Sequence, residues 1–185
     1  MSKVALSGNA SGTGTFTIAS PNSNTDQTLT LPDNTGTILT TATAGVPVNG
    51  PTFSAIAGSA TALSAGTSTK VNFSTEQWDT ASCYDTSTSR FTPNVAGYYQ
   101  ISSTVRADIS ASSVLQIYVR KNGTDVITGS FIAVSNFQSA STISGLVSCN
   151  GSTDYIDVAV YSSTAGNTNT GVACTFQGAM IRSAT

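Results

Sequence analysis

The chain has 185 residues, enough for one medium domain and an appendage. Only 9% are charged, against about a quarter in ordinary globular chains, and the formal net charge is -2 with no basic run. That argues against a nucleic-acid or anionic-membrane partner. Histidine is absent, which removes the commonest general base and metal ligand together.

The composition does not fit a disordered chain. Hydrophobic residues make up 39%, and the Val, Ile, Phe and Tyr fall in short alternating runs separated by Thr, Ser, Gly and Asn. The pattern predicts an all-β protein with a neutral, hydroxyl-rich surface. The N-terminus lacks the apolar core of a signal peptide and no later run is long enough to span a membrane, so synthesis in a cytoplasm without classical secretion is expected.

Residues 1–47 read as an extended, β-rich arm. Lys3–Leu6, Thr15–Ile18, Thr28–Leu31 and Thr37–Leu39 are short strand candidates. Pro32-Asp-Asn-Thr-Gly36 is a turn: proline presets the bend, Asp33 and Asn34 hydrogen-bond locally, and glycine takes the awkward dihedral. A segment this poor in large apolar residues cannot make its own core and must pair with something else. Ala42–Pro51 holds two prolines and two glycines and reads as a linker, with the boundary near Val48.

Residues 48–185 read as the globular part. Thr52–Ile56 is a first strand, and Thr69–Phe73 places Val71 and Phe73 on one face. Asp85–Ser89 is a small polar turn. Pro93 pushes Thr92 toward extended geometry, and Gly97 is expected to allow a backbone conformation that a side chain would resist. From Tyr98 the chain alternates: Tyr99, Ile101, Ser103 and Val105 take one face, Tyr98, Gln100, Ser102 and Thr104 the other. Asn122-Gly123 after Val114–Arg120 is a hairpin signal. Ile143–Cys149 and Asp154–Val160 are further strands, with Ile156, Val158 and Val160 in the core and Tyr155, Asp157, Ala159 and Tyr161 facing away. Cys174–Ile181 closes the domain. Cys83, Cys149 and Cys174 are widely spaced and odd in number, which suits small buried hydrophobes and leaves any single bridge undetermined.

Phe91-x-Pro93-x3-Gly97-x-Tyr99-x-Ile101 resembles the F-x-P-x3-G-x-Y-x-F signature of the complement globular-head family, a branch of the tumour-necrosis-factor-like jelly rolls. Ile156 and Val158 match its G-D-x-V-x-V strand, and Phe176 and Gly178 its closing F-x-G-x-L strand. The resemblance implies a jelly-roll β-sandwich knob that assembles as a homotrimer. Tyr155 and Tyr161 are candidate interface residues, because tyrosine suits a surface that is apolar at one end and wet at the other. Separately, Gly14–Ile18 with Thr28–Leu39 is similar to a segment of fibre and other structural proteins of tailed bacteriophages.

No constellation for chemistry emerges. Asp79, Asp85, Asp108, Asp125, Asp154 and Asp157 sit mostly beside turns, and Asp154 and Asp157 fall on opposite faces of a strand. No catalytic, metal or cofactor residue is expected, and the protein is not expected to be an enzyme. The sequence reading is a trimeric decoration (cement) protein exposed on the surface of a phage head, its arm docked on the major capsid protein. The alternative is a short tail fibre or tip attached to tail or baseplate. In that reading the loops near Asp108–Ser113 and Thr164–Thr170 would contact a host surface glycan.

Overall fold

The computed structural model describes residues 11–15, 17, 22–26, 28, 50–133 and 138–184. The chain groups into two units, Met1–Ile38 and Leu39–Thr185. Every described residue of the first unit is exposed. The strands expected between Lys3 and Leu39, and the boundary near Val48, lie wholly or partly outside the described residues.

The second unit is all-β. Its strands are β1 (Thr52–Ala57), β2 (Ala62–Leu63), β3 (Thr67–Lys70), β4 (Thr75–Asp79), β5 (Tyr84–Asp85), β6 (Arg90–Phe91) and β7 (Ala96–Ile109). There follow β8 (Val114–Lys121), β9 (Thr124–Thr128), β10 (Ile132–Ala133), β11 (Gln138–Asn150), β12 (Ile156–Ser162), β13 (Gly166–Thr168) and β14 (Gly171–Ser183). They form two antiparallel seven-stranded sheets.

The first sheet is organised by β7. Its whole length pairs with β11 along one edge, from Ala96↔Asn150 to Asp108↔Gln138. Its other edge pairs with β14 up to Thr104 and then with β13 from Ala107 to Ile109. β14 continues to β1 and β1 to β4. The second sheet is centred on β8 and β12, paired from Ile156↔Lys121 to Ser162↔Leu115. β9 and β10 share the far edge of β8, and β3 and β6 the far edge of β12.

Alternation fills the space between the sheets. Tyr99, Ile101, Val105, Phe53 and Phe176 from the first sheet meet Phe91, Ile117, Val119, Ile156, Val158 and Val160 from the second, all buried. Phe53 stacks on Phe91 at 4.3 Å and on Tyr84 at 4.9 Å, and meets Phe176 edge-on at 4.8 Å. Phe91 in turn takes Tyr99 edge-on at 5.5 Å. The two buried phenols are satisfied: Tyr99 donates to the Val95 carbonyl at 2.6 Å and Tyr84 to that of Phe73 at 2.7 Å. Burial pushes the Tyr99 phenol up to about 12.

Two glycines are needed for close approach. A Cβ on Gly178 would lie 2.6 Å from the Phe53 ring and 2.9 Å from Ile101 Cδ1. Gly97 lies inside β7 without a left-handed φ, so the unusual backbone expected there is not found. Its reason is space: a Cβ would fall 2.5 Å from the Arg182 carbonyl oxygen across the ladder. The Asn122-Gly123 signal does give a tight hairpin, with φ of 53° and 81° joining β8 to β9.

β12 departs from simple alternation. Asp157 and Ala159, read as facing water, are 1% and 0% exposed. β12 is an inner strand, and its outer face is roofed by its neighbours' side chains. Arg120, in register with Asp157, bonds its carboxylate at 2.6 Å, and Arg90 Nε lies 3.8 Å from the other oxygen.

Tyr99→Ala should cost about 3–5 kcal/mol, the range for an emptied aromatic core site. Tyr99→Phe should cost about 1 kcal/mol, the worth of one hydrogen bond. Denaturant unfolding of both variants checks the order; equal losses would mean that the hydroxyl, not the ring, holds the site.

Candidate assembly surface

The outer faces of the two sheets differ. On the first sheet, three adjacent strands present outward rows: Thr142, Ser144, Leu146 and Ser148 from β11; Tyr98, Gln100, Ser102 and Thr104 from β7; Thr175, Gln177, Ala179 and Ile181 from β14. None is charged. Neighbours bond side chain to side chain, Gln100 Nε2 to Ser144 Oγ at 2.7 Å and Thr104 to Thr142 at 3.1 Å. One end of this face is apolar. Tyr98, Leu146 and Ile181 are 49%, 61% and 53% exposed, and with Arg182, Ser183 and Ala184 they line a groove of about 540 Å³.

A β-bulge makes that groove. Met180 pairs with Tyr99 and Arg182 with Tyr98, which leaves Ile181 as the extra residue, turned outward. The chain also enters the domain at this end: Thr52 pairs with Ala179, and Met180 N donates to the Pro51 carbonyl at 3.0 Å. An uncharged stretch with exposed Leu, Ile and Tyr, rimmed by Arg106, Asp108 and Arg182, has the make-up of an interface core inside a polar rim. Covering the exposed half of each such side chain contributes on the order of 1 kcal/mol.

The second sheet's outer face is partly covered by its own side chains, with Phe131 and Val126 still 64% and 46% exposed. Tyr155 lies under the Arg90 guanidinium, 3.9 Å from its ring centre, and Tyr161 is half-buried with Phe131 edge-on at 6.4 Å. Both candidate interface tyrosines therefore have partners within their own chain. The motif residues Phe91, Pro93, Gly97, Tyr99, Ile101, Ile156, Val158, Phe176 and Gly178 are all buried and belong to packing. The sequence reading did not single out Tyr98, Leu146 and Ile181. Their signal was there: each puts a large apolar residue in the polar register of its strand.

The carboxylates hold turns. Asp85 Oδ1 accepts from Ser87 N at 2.8 Å and Oδ2 from Thr88 Oγ1 at 2.8 Å, and the Ser87 and Thr88 donors hold its carboxyl down to about 2. Asp154 pairs with Lys121 at 2.9 Å and accepts from Asn122 at 2.7 Å, and these two lower its pKa. Asp79 accepts from the backbone of Ala81 and Tyr84. Among the described residues no three His, Cys, Asp or Glu gather as a metal site would require. Cys83, Cys149 and Cys174 are free and buried, and burial pushes the Cys149 thiol up to about 11. No described helix is long and apolar enough to cross a membrane.

No family model matches the chain, and no curated protein matches it. Solved structures do. The globular domain of zebrafish complement 1qA protein is similar over 73% of this chain and 99% of that one, with 13% identity and a TM-score of 0.55. Eiger TNF from S. frugiperda gives 9% identity over 73% and 96%, with a TM-score of 0.56. Murine APRIL gives 10% over 71% and 99%, with a TM-score of 0.54. The fold is the complement and tumour-necrosis-factor jelly roll. At these identities the likeness is one of backbone. In this jelly roll the sheet built on β7 leaves an uncharged stretch from Tyr98 to Thr104 on its outer face, bounded by Arg106 and Asp108 at one end and Arg182 at the other.

Leu146→Lys with Ile181→Lys places two cations in the groove without touching the core. Sedimentation velocity should show a loss of self-association, with the melting temperature of the separated chain kept within a few degrees of the wild-type fold. A pair of variants that sediments like the wild type would remove this face as the contact.

Proposed function

We propose that the protein is a homotrimeric structural component of a bacteriophage virion, a decoration protein on the head surface. The observation that carries the reading is the uncharged stretch on the outer face of β11, β7 and β14, between Arg106 and Arg182, with Tyr98, Leu146 and Ile181 exposed at the end where the chain enters the domain. Three copies brought together through such faces bury Tyr98, Leu146 and Ile181, and their hydroxyl and amide rows can bond across the contact at small side-chain entropy cost. The jelly-roll fold and the complement-head signature support three-fold assembly. The bacteriophage part of the reading is supported by the string Thr28–Leu39.

In this proposal the N-terminal segment is the anchor, divided from the knob near Val48, and it docks on the major capsid protein. A head location is favoured over a tail fibre because Ala42–Pro51 joins arm and knob directly, with no heptad or other shaft-forming repeat between them. No chemistry is assigned: Asp85, Asp154 and Asp157 are committed to a turn, to lysine and to arginine.

Deleting Met1 to Gly45 should leave a knob that melts cooperatively and no longer co-sediments with particles. Truncated protein that still decorates particles would show that the anchor lies elsewhere. Copy number in purified virions separates the two locations: hundreds mean a head coat, and a few dozen or fewer mean a tail fibre or tip.

A further inference from the structure

On the first sheet, β4 and β11 are edge strands: β4 pairs only with β1, and β11 only with β7. One row of residues joins these two edges. The registers Trp78↔Ser54, Ser54↔Gln177, Gln177↔Ser102 and Ser102↔Ser144 carry it across five strands. Residues opposite one another in a ladder share a face, so all five lie on the outer side of the sheet. The row is tied together on the β4 side. Gln177 Nε2 donates to Ser54 Oγ at 3.2 Å, and Ser54 Oγ to Gln77 Oε1 at 2.7 Å.

Trp78, at one end of the row, is left half uncovered by its own chain. It is the single tryptophan of the sequence and is 50% exposed. Its ring has no aromatic neighbour and its N–H no acceptor among the described residues. A half-exposed tryptophan is the side chain most often found as an interface anchor. At the other end of the row β11 is suited to receive it. Thr142 and Ser144 are small, Leu146 beside them is exposed, and the strand carries no charge to oppose Glu76 of β4. The free edge of β11 also offers carbonyls that can accept the indole N–H.

Rotation decides which surfaces can meet. When three copies turn this sheet toward one axis, the β4 edge of each comes beside the β11 edge of the next. A closed ring joins unlike patches and has no rise along its axis, so residues on one level meet, and Trp78 and Ser144 share a level. We propose that Trp78 of each copy lies on β11 of the next, against Thr142, Ser144 and Leu146, and closes the ring at its sides. The inference rests on the homotrimer of the reading above and not on its place in a virion.

The test uses the full chain. Trp78→Cys with Ser144→Cys is treated with a short bis-maleimide and run on a denaturing gel. Within one chain the two thiols lie four strand spacings apart, about 19 Å, beyond the reagent's span, and the native cysteines are buried. Linked dimers and trimers are expected from the double variant, and single chains from either single variant. Tryptophan emission reads the same contact with Trp78 in place: it should move to longer wavelength when Leu146→Lys with Ile181→Lys separates the chains. Trimers by native mass spectrometry, with neither links nor an emission shift, would overturn the edge contact and leave the trimer standing. Links in the Trp78→Cys single variant would also overturn it, since like edges would then meet. Single polypeptides alone in the native spectrum would remove the trimer and this contact together.

Discussion

The contact on which the sandwich depends is the ring of Phe53 between the two sheets. It comes from β1, stacks on Phe91 and Tyr84 of the opposite sheet, and takes Phe176 against its edge. Gly178 leaves room for it, because any side chain there would occupy the ring's place. Free, buried thiols add no cross-link, and charge contributes little in a chain with so few ionised groups. Aromatic packing and backbone pairing therefore bear most of the stability.

Once the core is closed, what differs between the sheets is how each treats its outer face. The sheet of β8 and β12 roofs itself. Asp157 sits between Arg120 and Arg90, Arg90 covers Tyr155, and Phe131 leans on Tyr161. A carboxylate so deeply placed is stable only with both cations beside it, since removing one partner strands the charge. The sheet of β7, β11 and β14 has no such roof. It presents hydroxyls, amides and, at the entry end, three exposed apolar side chains. The face of β8 and β12 is largely covered within the chain, Phe131 excepted, while the β7 face leaves an apolar groove open.

Much of this was legible in the sequence. The alternation from Tyr98 onward gives the faces of β7 correctly, because that strand is long and one side is dry. Asn122-Gly123 announced its hairpin through local dihedrals alone. The alternating runs gave the all-β class, and the resemblance of Phe91, Pro93, Gly97 and Tyr99 to the complement-head signature implied the jelly roll. What could not be read came from distant neighbours. Asp157 looked wet because the arginines beside it come from β6 and β8, and Ala159 because its register neighbours, Tyr118 of β8 and Lys70 of β3, are far away in the chain. Gly97 looked like a backbone device, but its role is set by the Arg182 carbonyl across the ladder. β2 and β13 are too short to show a period. They form because β7 outruns the paired length of β14 and its remaining edge needs a partner.

The central claim is that the face of the β7 sheet around Tyr98, Leu146 and Ile181 holds identical chains around one axis. Native mass spectrometry of the full chain at micromolar concentration tests it most directly. The account predicts a dominant species of three polypeptides. A spectrum containing only single polypeptides would contradict it.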